Sequence, residues 1–243
     1  MRKKIGNILL WLIMLVYLII VFTFVGRKEE GLVCRNIHVR VVDSARNSFV
    51  SQSDISSLVR RNYDGVEGAV MSSVDKGQLE DLIDHNPSIK KSEVYSTLTG
   101  NLQIDVEQRK PILRVFGSRK GFYIDREGKV MPLSRQYTSR VLVASGKISK
   151  ELAKGDLFEL ALFIHEDDFW NSMIDQVHVT RDGEYILIPR VGAQKIVLGQ
   201  LKGYPRKFKK LFALYRDGFS RTGWNQYKKI NLKFKNQVVC TKK

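Results

Sequence analysis

The chain has 243 residues, 43% hydrophobic and 27% charged, which excludes a largely disordered polymer and allows a membrane anchor plus one or two small domains. Its formal net charge is +16, and twelve of those charges sit in the last 43 residues, where thirteen Lys and Arg face Asp217 alone. Such a basic end attracts nucleic acid, anionic lipid or an acidic protein surface; a solvated face that keeps the domain soluble is the plain alternative.

Ile8 to Val25, "ILLWLIMLVYLIIVFTFV", carries no charged side chain. As one helix its eighteen residues reach about 27 Å, close to a hydrocarbon core of about 30 Å. No small-x-small cleavage site follows, so the run predicts an uncleaved transmembrane helix over 8–25. It would be preceded by a cytoplasmic tail at 1–7 and followed by a juxtamembrane segment at 26–34. Arg2, Lys3 and Lys4 are matched by Arg27, Lys28, Arg35 and Arg40, so charge count alone does not orient it. The common arrangement leaves the short tail in the cytoplasm and exports the bulk, beyond the reach of nucleic acid.

"NIHVRVV" from Asn36 alternates as a strand with Ile37, Val39 and Val41 on one face. "FVSQSDISSLVRRNY" reads as a helix N-capped at Ser51 or Ser53, with Ile55, Leu58 and Val59 inward. "SSVDKGQLEDLIDHNP" is a second helix, with Val74, Leu79, Leu82 and Ile83 as its stripe and Asn86-Pro87 as its stop. Two strands follow around a turn at Thr99-Gly100, with Leu102, Ile104 and Val106 sharing a face. The order β-α-α-β-β predicts a two-layer domain over 35–111.

From Ile112 the pattern turns to strands. Hairpins are predicted at "FYIDREGKVMPL", turning at Arg126-Glu127-Gly128, and at "VHVTRDGEYILIP", turning at Asp182-Gly183, before a strand at "QKIVLG". One helix runs from about Asp156 to His165, with Leu157, Leu160, Ala161 and Ile164 inward. Another runs from about Pro205 to Tyr215, with Phe208, Leu211, Phe212 and Tyr215 on one face. The last segment, "YKKINLKFKNQVVCTKK", alternates Ile230, Leu232 and Phe234 with Asn231, Lys233 and Lys235, then runs apolar at Val238-Val239-Cys240. The class is α+β, with a mostly antiparallel β domain over 112–243.

Chemistry is sparse. The cysteines, Cys34 and Cys240, form no disulfide framework, and one bridge is allowed if both lie outside the cytosol. His38, His85, His165 and His178 are scattered without metal-ligand spacing, and "HEDD" from His165 reads as a helix end entering a turn. Ser88-Ile89-Lys90-Lys91 has the form Ser-x-x-Lys, and Arg221-Thr222-Gly223 loosely resembles the Lys-Thr-Gly element of penicillin-binding enzymes. No Ser-x-Asn accompanies them, and Ser88 leads into a strand, which disfavours that enzyme reading.

Three motifs in this order resemble the FtsQ/DivIB family of bacterial divisome proteins. "NPSIKKSEVYSTLTGNLQIDVEQRKPI", with Asn86, Pro87, Leu102, Ile104, Val106, Arg109 and Pro111, is similar to the close of the family's polypeptide-transport-associated (POTRA) domain. "FYIDREGKVMPLS" from Phe122 resembles the hairpin that opens its β domain, and "YKKINLKFKNQ" its penultimate strand. The last strand departs from the pattern, being only "VVCTKK" where members often carry aromatics or a longer tail.

The resemblance implies a protein of the cytoplasmic (inner) membrane, at the division septum, without catalysis, cofactor or metal. It implies FtsB/FtsL-type partners, bound by strand addition at the terminal edge of the β domain, and a share in controlling septal peptidoglycan synthesis, with an indirect link to the synthases. Partner contact then falls on Tyr227, Lys233, Phe234, Lys235, Asn236, Gln237, Val238 and Val239. Phe234, Val238 and Val239 are the apolar anchors, and core packing is the other reading of Phe234. Arg206, Lys207, Lys209 and Lys210 would steer an acidic segment toward that edge. A different reading of the basic end is an exported binder of cell-wall glycan or anionic lipid.

Overall fold

The computed structural model describes residues 10–21, 31–43, 47–63, 65–117, 121–220 and 223–243. The ends of the expected anchor (8–9 and 22–25), the flanking charges Arg2, Lys3, Lys4, Arg27 and Lys28, and Arg221-Thr222 lie outside them. Helix α1 covers 10–21. Among the described residues no helix is long and apolar enough to cross a membrane. The chain divides into two units that meet in sequence at Gln108 and Arg109.

In the first unit, β1 (Asn36–Val41), α2 (Gln52–Asn62), α3 (Lys76–Asp84), β2 (Ile89–Ser96) and β3 (Asn101–Gln108) follow the expected order. The sheet order is β1-β3-β2. β3 is central, parallel to β1 and antiparallel to β2. Its alternation decides the layering. Leu102, Ile104 and Val106 are fully buried and share a core with Ile55, Val59, Leu79 and Ile83 of the helices, which lie at helical spacing. Asn101, Gln103, Asp105 and Glu107 alternate with them on the opposite face, where Asp105 pairs with Arg40 across the sheet.

Ser51 is the cap of α2. Its hydroxyl accepts from the Asp54 N–H at 3.1 Å, and the Asp54 carboxylate accepts from the Ser51 N–H at 2.9 Å, a reciprocal capping box. Asp75 caps α3. The turn between β2 and β3 uses Gly100 at φ +81, where a side chain would be strained. Ser88 sits in the turn before β2, and Lys91 on β2 bonds Glu93 at 2.6 Å, so the Ser-x-x-Lys tetrad does not ride on one helical turn.

The second unit is built on a nine-stranded sheet in the order β12-β11-β10-β9-β8-β7-β4-β5-β6. The strands are β4 (Pro111–Val115), β5 (Phe122–Asp125), β6 (Val130–Pro132), β7 (Leu142–Gly146), β8 (Ile174–Val179), β9 (Tyr185–Pro189), β10 (Lys195–Gly199), β11 (Tyr227–Asn231) and β12 (Val239–Lys242). Both predicted hairpins are present, as β5–β6 and β8–β9. The sheet is mixed: β4 with β7, β7 with β8, and β10 with β11 run parallel, beside five antiparallel neighbours. Two of the parallel joins follow from helical crossovers. α4 (Lys150–Lys154), α5 (Asp156–Glu166) and α6 (Asp168–Met173) connect β7 to β8, and α7 (Tyr204–Ala213), extended by a π-helical turn at Leu214–Phe219, connects β10 to β11.

The inward residues predicted for α5 are all buried, as are Phe208, Leu211 and Tyr215, but Phe212 is 39% exposed. An aromatic cluster fills the space between helices: Trp170 meets Phe208 edge-on at 4.8 Å, and Phe163 meets Phe208 at 5.0 Å. Among the described residues no group of three or more His, Cys, Asp or Glu could hold a metal.

Candidate interaction edge

β12 is held to the sheet on one side only, by β11, and its other side is an edge among the described residues. The orientation of its backbone follows from two bonds. Lys243 donates its N–H to Gln226 O at 3.1 Å, and Leu232 donates its N–H to Val197 O at 2.9 Å. Backbone groups alternate sides along a strand, so Lys243, Thr241 and Val239 face β11, while the N–H and C=O of Cys240 and Lys242 face outward. Two donors and two acceptors are therefore free for a further strand.

The alternation Ile230, Leu232, Phe234 predicts a strand continuing through Phe234. The strand stops at Asn231, and residues 234–236 form a bend. The cause is local. Asn231 Oδ1 accepts from the Lys233 N–H at 3.0 Å. The Lys210 ammonium gathers the carbonyls of Leu232 at 3.3 Å, Gln237 at 3.4 Å and Phe234. One cation thus satisfies three carbonyls that a longer strand would have paired.

The eight residues singled out in the sequence divide by environment. Phe234 is 45% exposed and Val239 40% exposed, so neither is spent in the core. Lys235, Asn236 and Gln237 are exposed in the connection between β11 and β12. Val238 is half-buried and packs on the core, as does Cys240, whose thiol is pushed up by that burial. Tyr227 stacks on Phe219, with ring centroids 5.7 Å apart at an interplanar angle of 14°, which makes it a supporting residue. Lys233 is ion-paired to Glu184 at the β8–β9 turn.

The four basic residues of α7 also part. Lys207 is half-buried and donates to Leu198 O at 3.0 Å and to Gln200 O; burial draws its pKa down, aided by neighbouring Lys210. Lys207 and Lys210 thus hold backbone, whereas Arg206 and Lys209 are exposed. Their facing at i and i+3 sends Lys207 and Lys210 toward the sheet. Glu184 and the outward-facing Cys240 and Lys242 were not picked out from the sequence. The Val239–Lys242 alternation carries a trace of the latter, but Glu184 meets Lys233 only through the fold.

Comparison with known proteins follows these two units. A family model described as FtsQ/DivIB, C-terminal related, matches residues 110–241, and a POTRA-like domain model matches residues 32–107. The Cell division protein FtsQ of Rhodothermus marinus is 26% identical over 187 residues, covering 71% of this chain and 67% of that protein.

Proposed function

Because the chain belongs to the FtsQ/DivIB family, we propose that it is a non-enzymatic scaffold of the bacterial division machinery, anchored in the cytoplasmic membrane. It binds FtsB/FtsL-type membrane proteins by adding a partner strand to β12, and through them it helps control septal peptidoglycan synthesis. The observation that supports this most is the open side of β12 with Phe234 and Val239 exposed beside it. Each backbone bond adds about 0.5–1.5 kcal/mol net, so two outward residues do not hold a partner alone. An apolar side chain brought to full burial adds about 1.5–3 kcal/mol, and Phe234 and Val239 are placed to supply that share.

The anchor is the uncharged stretch 8–25, of which α1 is the described part. Its large side chains from Leu10 to Val21 are 38–69% exposed, which suits a helix whose surroundings are lipid. In this reading the tail stays cytoplasmic and both folded units are exported.

Lys242→Pro tests the interface. It removes an outward N–H while leaving the bonds to β11, a placement that edge strands tolerate. Full-length protein carrying it, captured from solubilised membranes, is expected to lose its FtsB/FtsL-type partner with unchanged circular dichroism. Retention of that partner at wild-type level would contradict strand addition at β12.

A further inference from the structure

Near the middle of the nine-stranded sheet lies a small basic crevice formed where two parallel strands end together. β7 and β8 are in register through Ser145–His178 and Gly146–Val179, and both chains leave the sheet there. The crevice encloses about 430 Å³ and is lined by Gly146, Lys147, His178, Val179 and Arg181, without an acidic residue. Neither the Lys147 ammonium nor the Arg181 guanidinium has an ion-pair partner among the described residues.

Three further features shape it. Gly146 has φ +102, and a Cβ there would come within 2.0 Å of the Val179 carbonyl oxygen, so this part of the wall is bare backbone. Lys147 is tied at its N–H to Val179 O at 3.0 Å, which fixes where its side chain departs. His178 Nδ1 lies 3.1 Å from Ser145 Oγ. With the serine hydroxyl donating to Nδ1, the imidazole carries its hydrogen on Nε2, leaving that nitrogen as a donor. In open sheets the carboxyl ends of parallel strands are a recurrent ligand position, because the departing loops leave a gap.

We propose that this crevice is an oxyanion-binding site, taking the carboxylate or phosphate group of a ligand. Lys147 and Arg181 supply charge from two loops, and in that tautomer the His178 imidazole in the wall supplies an N–H. Unpaired cations converging without a carboxylate form an electrostatic well, and charge-assisted bonds to an oxyanion are the strong ones. The volume exceeds that of a bare oxyanion and accommodates part of the group that carries it.

The test is calorimetric titration of the full-length chain in neutral detergent at constant ionic strength. Inorganic phosphate is the probe in one arm and acetate in the other. Saturable one-to-one binding is expected in at least one arm, and the arm identifies the oxyanion. Lys147→Ala and Arg181→Ala are each expected to weaken it about tenfold or more, with circular dichroism unchanged because both side chains are exposed. Lys202→Ala, an exposed lysine outside the crevice, is expected to change nothing. Absence of saturable binding in both arms would overturn the proposal. So would binding unaffected by the Lys147 and Arg181 variants, or weakened equally by Lys202→Ala.

Discussion

Arg109 Nη1 donates to Asp125 Oδ2 at 2.8 Å, a nearly buried ion pair that ties the first residue of the second unit to its first hairpin. Asp125 uses its other oxygen to accept from the N–H groups of Glu127 at 2.9 Å and Lys129 at 2.8 Å, closing the β5–β6 turn. The preceding residue does the same for the first unit. Gln108 is fully buried, accepts from the Val50 N–H at 2.8 Å and donates to Asn47 O at 2.8 Å. Two consecutive polar side chains thus each lock the chain into a different unit.

Arg109→Ala leaves the Asp125 carboxylate, 4% exposed, without its cation. Removing one partner of a buried pair costs about 3–5 kcal/mol. The two turn N–H groups that donate to Asp125 stay in place, so the lower end, about 3 kcal/mol, is expected in urea unfolding of the second unit. Gln108→Ala strands the Val50 N–H and is expected to cost about 1–3 kcal/mol in the first unit. A loss below 1 kcal/mol for Arg109→Ala would mean that the pair is solvated in solution.

The α2 cap sets an acid response. Hydrogen bonds from the Ser51 hydroxyl and N–H hold the Asp54 carboxyl below its ordinary value. A folded-state pKa below the unfolded one contributes stability that is present above the unfolded carboxylate value, about 3.9, and is lost as pH falls through the folded value. Ser51→Ala is expected to destabilise the first unit by about 1 kcal/mol at neutral pH. Asp54→Ala should flatten the acid limb of the stability curve below about pH 4, since its carboxylate is the group that titrates. An acid limb identical to wild type would show that the box does not persist in solution.

Lys210 and Lys209 are adjacent in sequence and are expected to act differently. Lys210→Met removes the ammonium that gathers three carbonyls of the β11–β12 connection, so partner affinity should fall with little change in salt dependence. Lys209→Glu reverses an exposed charge and should slow association mainly at low salt. Stopped-flow binding at two ionic strengths separates them. Equal salt slopes for the two variants would refute the division.

The first unit was largely legible in the sequence because its elements announce themselves locally. Leu102, Ile104 and Val106 give the period of a strand buried on one face, and Ser51 three residues before Asp54 is a capping signature. The second unit was legible in its hairpins, where Gly128 and Gly183 mark turns at positive φ. β7, α4 and α6 escaped notice because five or six residues carry too little periodicity to read. The parallel joins escaped because they pair strands separated by helical crossovers or, for β4 and β7, by the β5–β6 hairpin, a long-range choice made by packing. At the candidate edge, the alternation through Phe234 overran the strand because it contains no sign of Lys210, about twenty residues upstream, which draws the chain into a bend.

The central claim is that a partner's strand lies along the open side of β12. A photoreactive amino acid at position 239, introduced into the full-length protein in living cells, tests it most directly. The predicted result is a crosslink to a membrane-anchored FtsB/FtsL-type protein that disappears when Lys242→Pro is added. A crosslink only to a second copy of this chain or to wall material, or one to that partner that persists with the proline in place, would contradict it.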